Sequence, residues 1–253
     1  MDKKNSFSGL AIVLALRAGL GCLSLAVVTP AVAGSFSVSP LRLFMAPRDR
    51  AVAVTINNEG DEELVLQGDV YVWKQKPNGE DDLILTEDII LSPPIVKVAP
   101  KSRQILRLAR VRIAPTPLEL TYRLVVREIP EAKSVAGKDM MLQFALAFSM
   151  PVFISPPNAK RQLDCKVARL TANSVNAFCQ NTGDTYVQVR EIAVLNGAGE
   201  KIAIRDSGGY LLPGITRSFE VKTPEGRIPG GKAKLLATLD TGPNLSFEVV
   251  VPD

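Results

Sequence analysis

Met141-Leu142-Gln143-Phe144-Ala145-Leu146-Ala147-Phe148-Ser149-Met150-Pro151-Val152-Phe153 is the stretch whose reading decides the fold. Every second residue from Leu142 to Met150 is large and apolar, and the residues between them are small or polar. Alternate side chains of a strand point to opposite faces, so a period of two predicts a β-strand. Charged Lys138-Asp139 before the run and Pro151 near its end fit a strand better than a short helix. From Leu142 to Phe148 the bulky row spans roughly 20 Å of extended chain. Such a row can fill the protein's own core, or it can fill the core of another protein.

Working outward, no convincing long helix is found, and short apolar or alternating runs recur. They cover residues 35–45, 50–57, 63–75, 83–91, 104–111, 121–129 and 141–154. Strands at this density predict an immunoglobulin-like sandwich. Trp73 is a candidate core aromatic, with no Cys pair in this half to pack against it. Ser155-Pro156-Pro157-Asn158 then reads as a stiff elbow rather than a loose tether. The strand pattern resumes at 163–170, 174–180, 186–195, 201–204, 215–221, 234–239 and 245–251. Gly208-Gly209, Pro213-Gly214, Pro229-Gly230-Gly231 and Gly242-Pro243-Asn244 supply turns. The expected fold is all-β: two immunoglobulin-like β-sandwich domains, 34–156 and 157–253, joined by a short Pro-rich elbow. The two halves share an architecture but no obvious sequence repeat.

The first 33 residues read as a secretory signal. Lys3, Lys4 and Arg17 precede an apolar run, and Ala31-Val32-Ala33 is a small-x-small cleavage site. As a transmembrane anchor the run is too short, being bounded by Arg17 and Pro30. Cys22 raises a lipoprotein reading, but Gly19-Leu20-Gly21 is a poor approach to a lipidated Cys. Cleavage after Ala33 places the mature chain in a compartment that permits disulfides.

Two cysteines remain, Cys165 and Cys179, symmetric about Ala172 within the weak turn signal Thr171-Ala172-Asn173-Ser174. A hairpin there sets them face to face across adjacent strands and predicts a disulfide. A zinc pair has no further Cys or His to complete it. The sequence contains no histidine, which excludes His-based triads, His-bound metal and His proton relays. The chain carries 30 basic and 26 acidic residues, too even a balance to argue for nucleic acid.

Two sandwiches, an export signal and this seventh strand together resemble the periplasmic chaperones of the chaperone–usher pilus pathway. The pieces that carry the resemblance are Ser92-Pro93-Pro94, Leu106-Arg107-Leu108, the run Tyr122-Arg123-Leu124-Val125-Val126-Arg127-Glu128-Ile129-Pro130, the opening stretch, and Leu211-Leu212-Pro213-Gly214. The ending Phe148-Ser149-Met150-Pro151-Val152-Phe153 resembles the archaic branch of that family.

The resemblance implies strand addition. A pilus subunit is a sandwich lacking its last strand, and the chaperone lends its seventh strand to fill the gap. The donor side chains implied here are Leu142, Phe144, Leu146 and Phe148, with Met150 at the margin. In many family members an Arg on the first strand and a Lys on the seventh hold the subunit's C-terminal carboxylate. Arg42 falls at the Arg position, Pro151 occupies the Lys position, and Arg123 is the candidate replacement. Arg107 reads as a structural charge. For the family's interdomain ion cluster, Glu128 and Asp240 match the acidic positions, while Ser155 stands where the central Arg is expected; either Arg127 or another base substitutes, or the cluster is lost.

The expected function is that of a soluble periplasmic chaperone. It would bind pilus or coat subunits and deliver them to an outer-membrane usher, with no cofactor, no metal, no nucleic acid and no stable membrane insertion. One rival is a structural or adhesive surface module. Another is an enzyme, for which no nucleophile motif such as Gly-x-Ser-x-Gly is present.

Overall fold

The computed structural model of the chain describes residues 36–76, 78–113, 116–130 and 145–253. The expected signal segment, and with it the donor positions Leu142 and Phe144, lie outside the described residues.

The first half is a sandwich of two sheets. One has the order β1 (Phe36–Ser39), β3 (Ala51–Asn58), β8 (Arg103–Arg110), β6 (Ile89–Ser92). The other runs β2 (Leu43–Met45), β10 (Ala147–Ile154), β9 (Leu120–Glu128), β4 (Leu64–Gln75), β5 (Asp81–Leu85), and β7 (Ile95–Val98) also pairs with β4. Alternate residues of every strand but β5 meet between the sheets. Val54 and Ile56 of β3, Leu106 and Leu108 of β8, Leu124 and Val126 of β9 and Val152 of β10 are all buried there. Each such side chain contributes about 1.5–3 kcal/mol of burial.

Two expected strands are each divided in the structure. The run 35–45 becomes β1 in one sheet and β2 in the other. Pro40 lies between them; it has no N–H with which to continue the β1–β3 ladder. The run 83–91 becomes β5 and β6, again in different sheets. A strand that changes sheet keeps its apolar period, so the pattern alone does not mark the break. Trp73 is buried as expected, at 1% exposure, but in a cluster separate from the sandwich core. Val70 of β4 faces the sandwich core, so Trp73, of opposite parity, lies on the outer face.

The second half is one eight-stranded sheet. Its path is β11 (Leu163–Thr171), β12 (Ser174–Asn181), β16 (Thr216–Lys222), β14 (Lys201–Arg205), β13 (Val187–Leu195), β17 (Gly231–Leu239), β18 (Leu245–Val251), with β15 (Gly209–Leu211) on β13. The end strands β11 and β18 come together, so the sheet curls around its own core. Both halves are immunoglobulin-like β-sandwiches. Cys165 and Cys179 are direct cross-strand partners on β11 and β12 and form a disulfide.

A short repeat becomes visible in three dimensions. Asn58 and Asn181 each end a strand and start an Asn-x-Gly-Asp sequence. Asn58 Oδ1 accepts the Gly60 N–H (3.0 Å) while its Nδ2 donates to Glu62 C=O (2.8 Å) and to Val98 C=O (3.0 Å). Asn181 repeats this with Gly183 N–H (3.0 Å), Thr185 C=O (2.8 Å) and Leu211 C=O (2.9 Å). Each buried amide shapes a turn and ties it to a distant segment.

Candidate functional site: an open strand edge above an arginine-lined junction

β10 pairs with β9 along its whole length, from Ala147 opposite Arg127 to Ile154 opposite Leu120. On its other side it pairs with β2 only at Val152, Phe153 and Ile154. The Glu128 N–H donates to Leu146 C=O (2.8 Å), which sets the phase of the antiparallel ladder. Hydrogen-bonded and non-hydrogen-bonded pairs alternate, so even-numbered residues of β10 turn their backbone groups toward β9. Odd-numbered ones turn theirs away. Ala147 and Ser149 therefore present N–H and C=O to the outside, and Pro151 presents C=O alone. Among the described residues no strand pairs with this edge.

The apolar row runs from the protein's core out to its surface. Ile154, Val152 and Met150 are buried. Phe148 is half-buried and meets Phe36 edge-on, with ring centroids 5.2 Å apart. Leu146 is 36% exposed. Met150 was expected at the margin of the donor set. At 1% exposure it belongs to the protein's own core, because its parity points it between the two sheets. The side chains at the open end are Leu146 and Phe148.

Arg123 stands directly opposite Pro151 on β9. Its guanidinium lies 3.7 Å from the Trp73 ring centroid and donates to Asp81 (3.3 Å). Burial pushes its pKa down, with Asp81 and Tyr210 opposing. Arg123 Nε and Trp73 Nε1 are both buried without an acceptor among the described residues. Arg42 immediately precedes β2. One of its guanidinium nitrogens donates to the Asp240 carboxylate and to Gln188 Oε1 (3.2 Å). The bond to Asp240 raises the Arg42 pKa above its ordinary value. The Asp240 side chain is 1% exposed, against 32% for Arg42.

The two halves meet just below these arginines. Phe153, on the outer face of β10, stacks on Tyr186 at 4.0 Å, and Trp73, Tyr210 and Leu212 close around them. Gln75 extends the contact in the manner of a backbone rung, donating to Tyr210 C=O (3.1 Å) and accepting from Leu212 N–H (3.0 Å). Glu119 is 6% exposed. Its carboxyl accepts from Ser155 Oγ (2.7 Å), Thr185 Oγ1 (2.7 Å) and Tyr186 N–H (2.8 Å).

The acidic positions of the junction are thus Glu119 and Asp240. Glu128 does not join Asp240. It lies at the opposite end of β9, beside Leu146, whose N–H it accepts at 3.3 Å. Arg42 supplies the cation for Asp240, and Ser155 donates a neutral hydrogen bond to Glu119. Glu119 and Gln75 were not foreseen; a lone Glu before an apolar run reads as a solvated charge until the other half supplies its donors.

This arrangement combines an unpaired backbone ladder, an emerging apolar row and two guanidinium groups where the ladder closes. It can take an extended chain as an added strand, bury alternate side chains and hold an anionic end.

The family model of the pili and flagellar-assembly chaperones, PapD N-terminal domain, matches residues 35–160. No curated protein matches the sequence. Among solved structures, the chain is similar to one in the CsuC–CsuE chaperone–tip adhesion subunit pre-assembly complex from archaic chaperone–usher Csu pili of Acinetobacter baumannii. The identity is 21% and the TM-score 0.62, covering 87% of this chain and 100% of that one. It is similar to the CupB2 chaperone of Pseudomonas aeruginosa, at 15% identity and TM-score 0.55, covering 85% and 100%. It is also similar to a chain in the Salmonella enterica complex of SafA pilin with the SafB chaperone, at 14% identity and TM-score 0.56, covering 87% and 98%. At these identities the likeness establishes the fold.

Proposed function

Because residues 35–160 make the chain a member of the pili and flagellar-assembly chaperone family, we propose that it is a periplasmic chaperone that lends the open edge of β10 to secreted pilus or coat subunits. In this reading residues 1–33 direct export, 34–156 form the subunit-binding domain, and 157–253 complete the junction. The subunit lies along Ala147 to Pro151 and takes Leu146 and Phe148, with Leu142 and Phe144 beyond them, into its groove. Its C-terminal carboxylate reaches Arg42 or Arg123. Release is to an outer-membrane usher.

The observation that carries the reading is the half-closed state of β10. Of its eight strand residues, the last three lie between two neighbouring strands and the first five have a described neighbour on one side only. An edge of that kind with a bulky apolar row invites strand addition. Each donor side chain that becomes fully buried contributes about 1.5–3 kcal/mol, and association and ordering costs oppose this. No covalent step is required, in keeping with a family of chaperones rather than catalysts.

The test is purification from the periplasm with secreted proteins encoded beside it co-expressed. One subunit should remain bound in one-to-one ratio. Replacing Phe144 and Leu146 together by Ser should leave a folded chaperone that no longer recovers it. A folded double variant that holds the subunit with unchanged affinity would show that strand donation through these positions is wrong.

A further inference from the structure

The sheet that contains β10 ends on its other side in β5, and among the described residues this second edge is also open. The Lys76 N–H donates to Glu80 C=O (2.8 Å) and the Thr86 N–H to Val70 C=O (3.2 Å), fixing the phase of the β4–β5 ladder. Asp82 and Ile84 turn their backbone groups toward β4; Asp81, Leu83 and Leu85 turn theirs outward. No described strand pairs with them. Along this edge Leu83, Ile84 and Leu85 are 41%, 47% and 67% exposed. Sheet proteins ordinarily shield such an edge with Lys, Pro, a bulge or a covering segment.

What flanks these aliphatic residues is acid. Asp81 receives Arg123, and Asp88 receives the Tyr122 hydroxyl. Asp82 and Glu87 have no cation within salt-bridge distance and no side-chain hydrogen bond among the described residues. These acids decide what can dock. In a two-fold pairing with a second copy, outward residues must stand opposite outward residues to form the hydrogen-bonded pairs. The register that sets Leu83 against Leu85 also brings Asp81 of one copy near Glu87 of the other, just beyond the end of β5, and like charges brought together across strands are destabilising. The next register sets both Asp81 carboxylates against Leu85. A basic partner has neither difficulty.

We propose that β5 is a second docking strand, which takes an extended segment of a partner protein with aliphatic side chains at alternate positions and Lys or Arg at its ends. β9 and β4 separate the two open edges by roughly 14 Å, so both can be occupied at once. The inference does not depend on what occupies β10.

The probe is acetyl-Lys-Lys-Val-Thr-Val-Thr-Val-Lys-Lys-amide, with the same peptide carrying Glu in place of Lys as its control. Both are titrated into the full mature chain while amide exchange is followed. The Lys peptide should bind at least tenfold more tightly than the Glu peptide and should protect the Leu83 and Leu85 amides. Leu83→Pro should weaken it at least tenfold; the lost N–H faces outward, so the β4 ladder is retained. The double variant Asp82→Lys, Glu87→Lys keeps every backbone donor and should reverse the preference between the peptides. Absence of binding, equal binding of the two peptides, or protection confined to Ala147 and Ser149 would overturn the proposal.

Discussion

Pro151 and Arg123 face each other across the β9–β10 ladder, and the pair marks the point where the open edge of β10 ends. Beyond it, β2 closes the sheet, with Leu43 beside Val152. Arg42 is the residue before Leu43, so the two arginines bracket Pro151 from neighbouring strands. Pro151 has no N–H to extend a ladder outward. A strand added along β10 therefore reaches its last rung where two guanidinium groups stand.

The two arginines should differ in what their removal does. Arg123→Ala should weaken capture of the proposed subunit at least tenfold, since an unpaired buried carboxylate costs on the order of 2–5 kcal/mol. Arg42→Ala should weaken capture similarly and should also lower the stability of the free chaperone. It strands the Asp240 side chain, which is 1% exposed, at a cost on the order of 2 kcal/mol. Adding Asp240→Asn should restore stability in urea but not capture. A subunit with one extra C-terminal residue should bind as poorly as to Arg123→Ala. Wild-type affinity for all of these would show that no carboxylate sets the register.

The sequence made the repeating units of this fold legible and left the junction obscure. Strand runs and the cysteine pair are local patterns; β9 and the Cys165–Cys179 bridge lie where the pattern put them, and β10 occupies the second half of its expected run, from Ala147 to Ile154. The row from Leu146 to Ile154 was legible as a row; where it leaves the core was not, because that depends on how far β2 extends beside it. Arg42 was legible as a site residue by resemblance, but its pairing with Asp240 joins residues 198 apart in sequence. Glu119 meets Thr185 and Tyr186 across gaps of 66 and 67 residues. Such partners leave no trace in spacing or periodicity.

Tyr122 supplies a pH-dependent test of the first sandwich. Burial, with help from Asp88, raises its pKa from the usual 10 to about 12. The unfolded chain thus loses this proton before the folded one does. The associated stability is complete below pH 10 and is lost as pH rises toward 12, by roughly 2–3 kcal/mol in all. Urea midpoints should fall across that interval, and Tyr122→Phe should flatten the fall. An unchanged profile in the variant would assign the alkaline loss to other groups.

Glu119→Ala removes the acceptor for three donors at the junction. With Thr185 Oγ1 and Tyr186 N–H left buried and unpaired, the cost should be about 2–3 kcal/mol. It should fall on the coupling between the halves. Calorimetry should show the thermal transition of the wild type separating into two. A single transition at an unchanged temperature would mean that the aromatic stack of Phe153 and Tyr186 holds the junction alone.

The disulfide closes a short loop, with a sequence separation of 14. Mature protein denatured without reductant should show no free thiol. Replacing both Cys165 and Cys179 by Ser should cost about 3 kcal/mol in the loop-entropy account. Two reactive thiols per unreduced chain would refute the pairing.

Leu146 and Met150 share one face of one strand, four residues apart, and should behave in opposite ways. Met150 is 1% exposed and packed between the sheets, whereas Leu146 is 36% exposed at the open end. Truncating a buried Met leaves a cavity and costs about 2–5 kcal/mol, while a change at an exposed position costs within roughly 0.5 kcal/mol. Met150→Ala should therefore lower the urea midpoint of the free chaperone strongly. Among molecules that remain folded, subunit capture should be nearly unchanged. Leu146→Ala should leave the midpoint in place and reduce capture about tenfold or more, the loss expected when a large apolar side chain no longer fills the subunit's groove. Measuring both variants by urea unfolding and by co-purification separates the two roles. If Leu146→Ala captures the subunit normally while Met150→Ala does not, the boundary between the chaperone's own core and the part it lends lies further along β10 than drawn here.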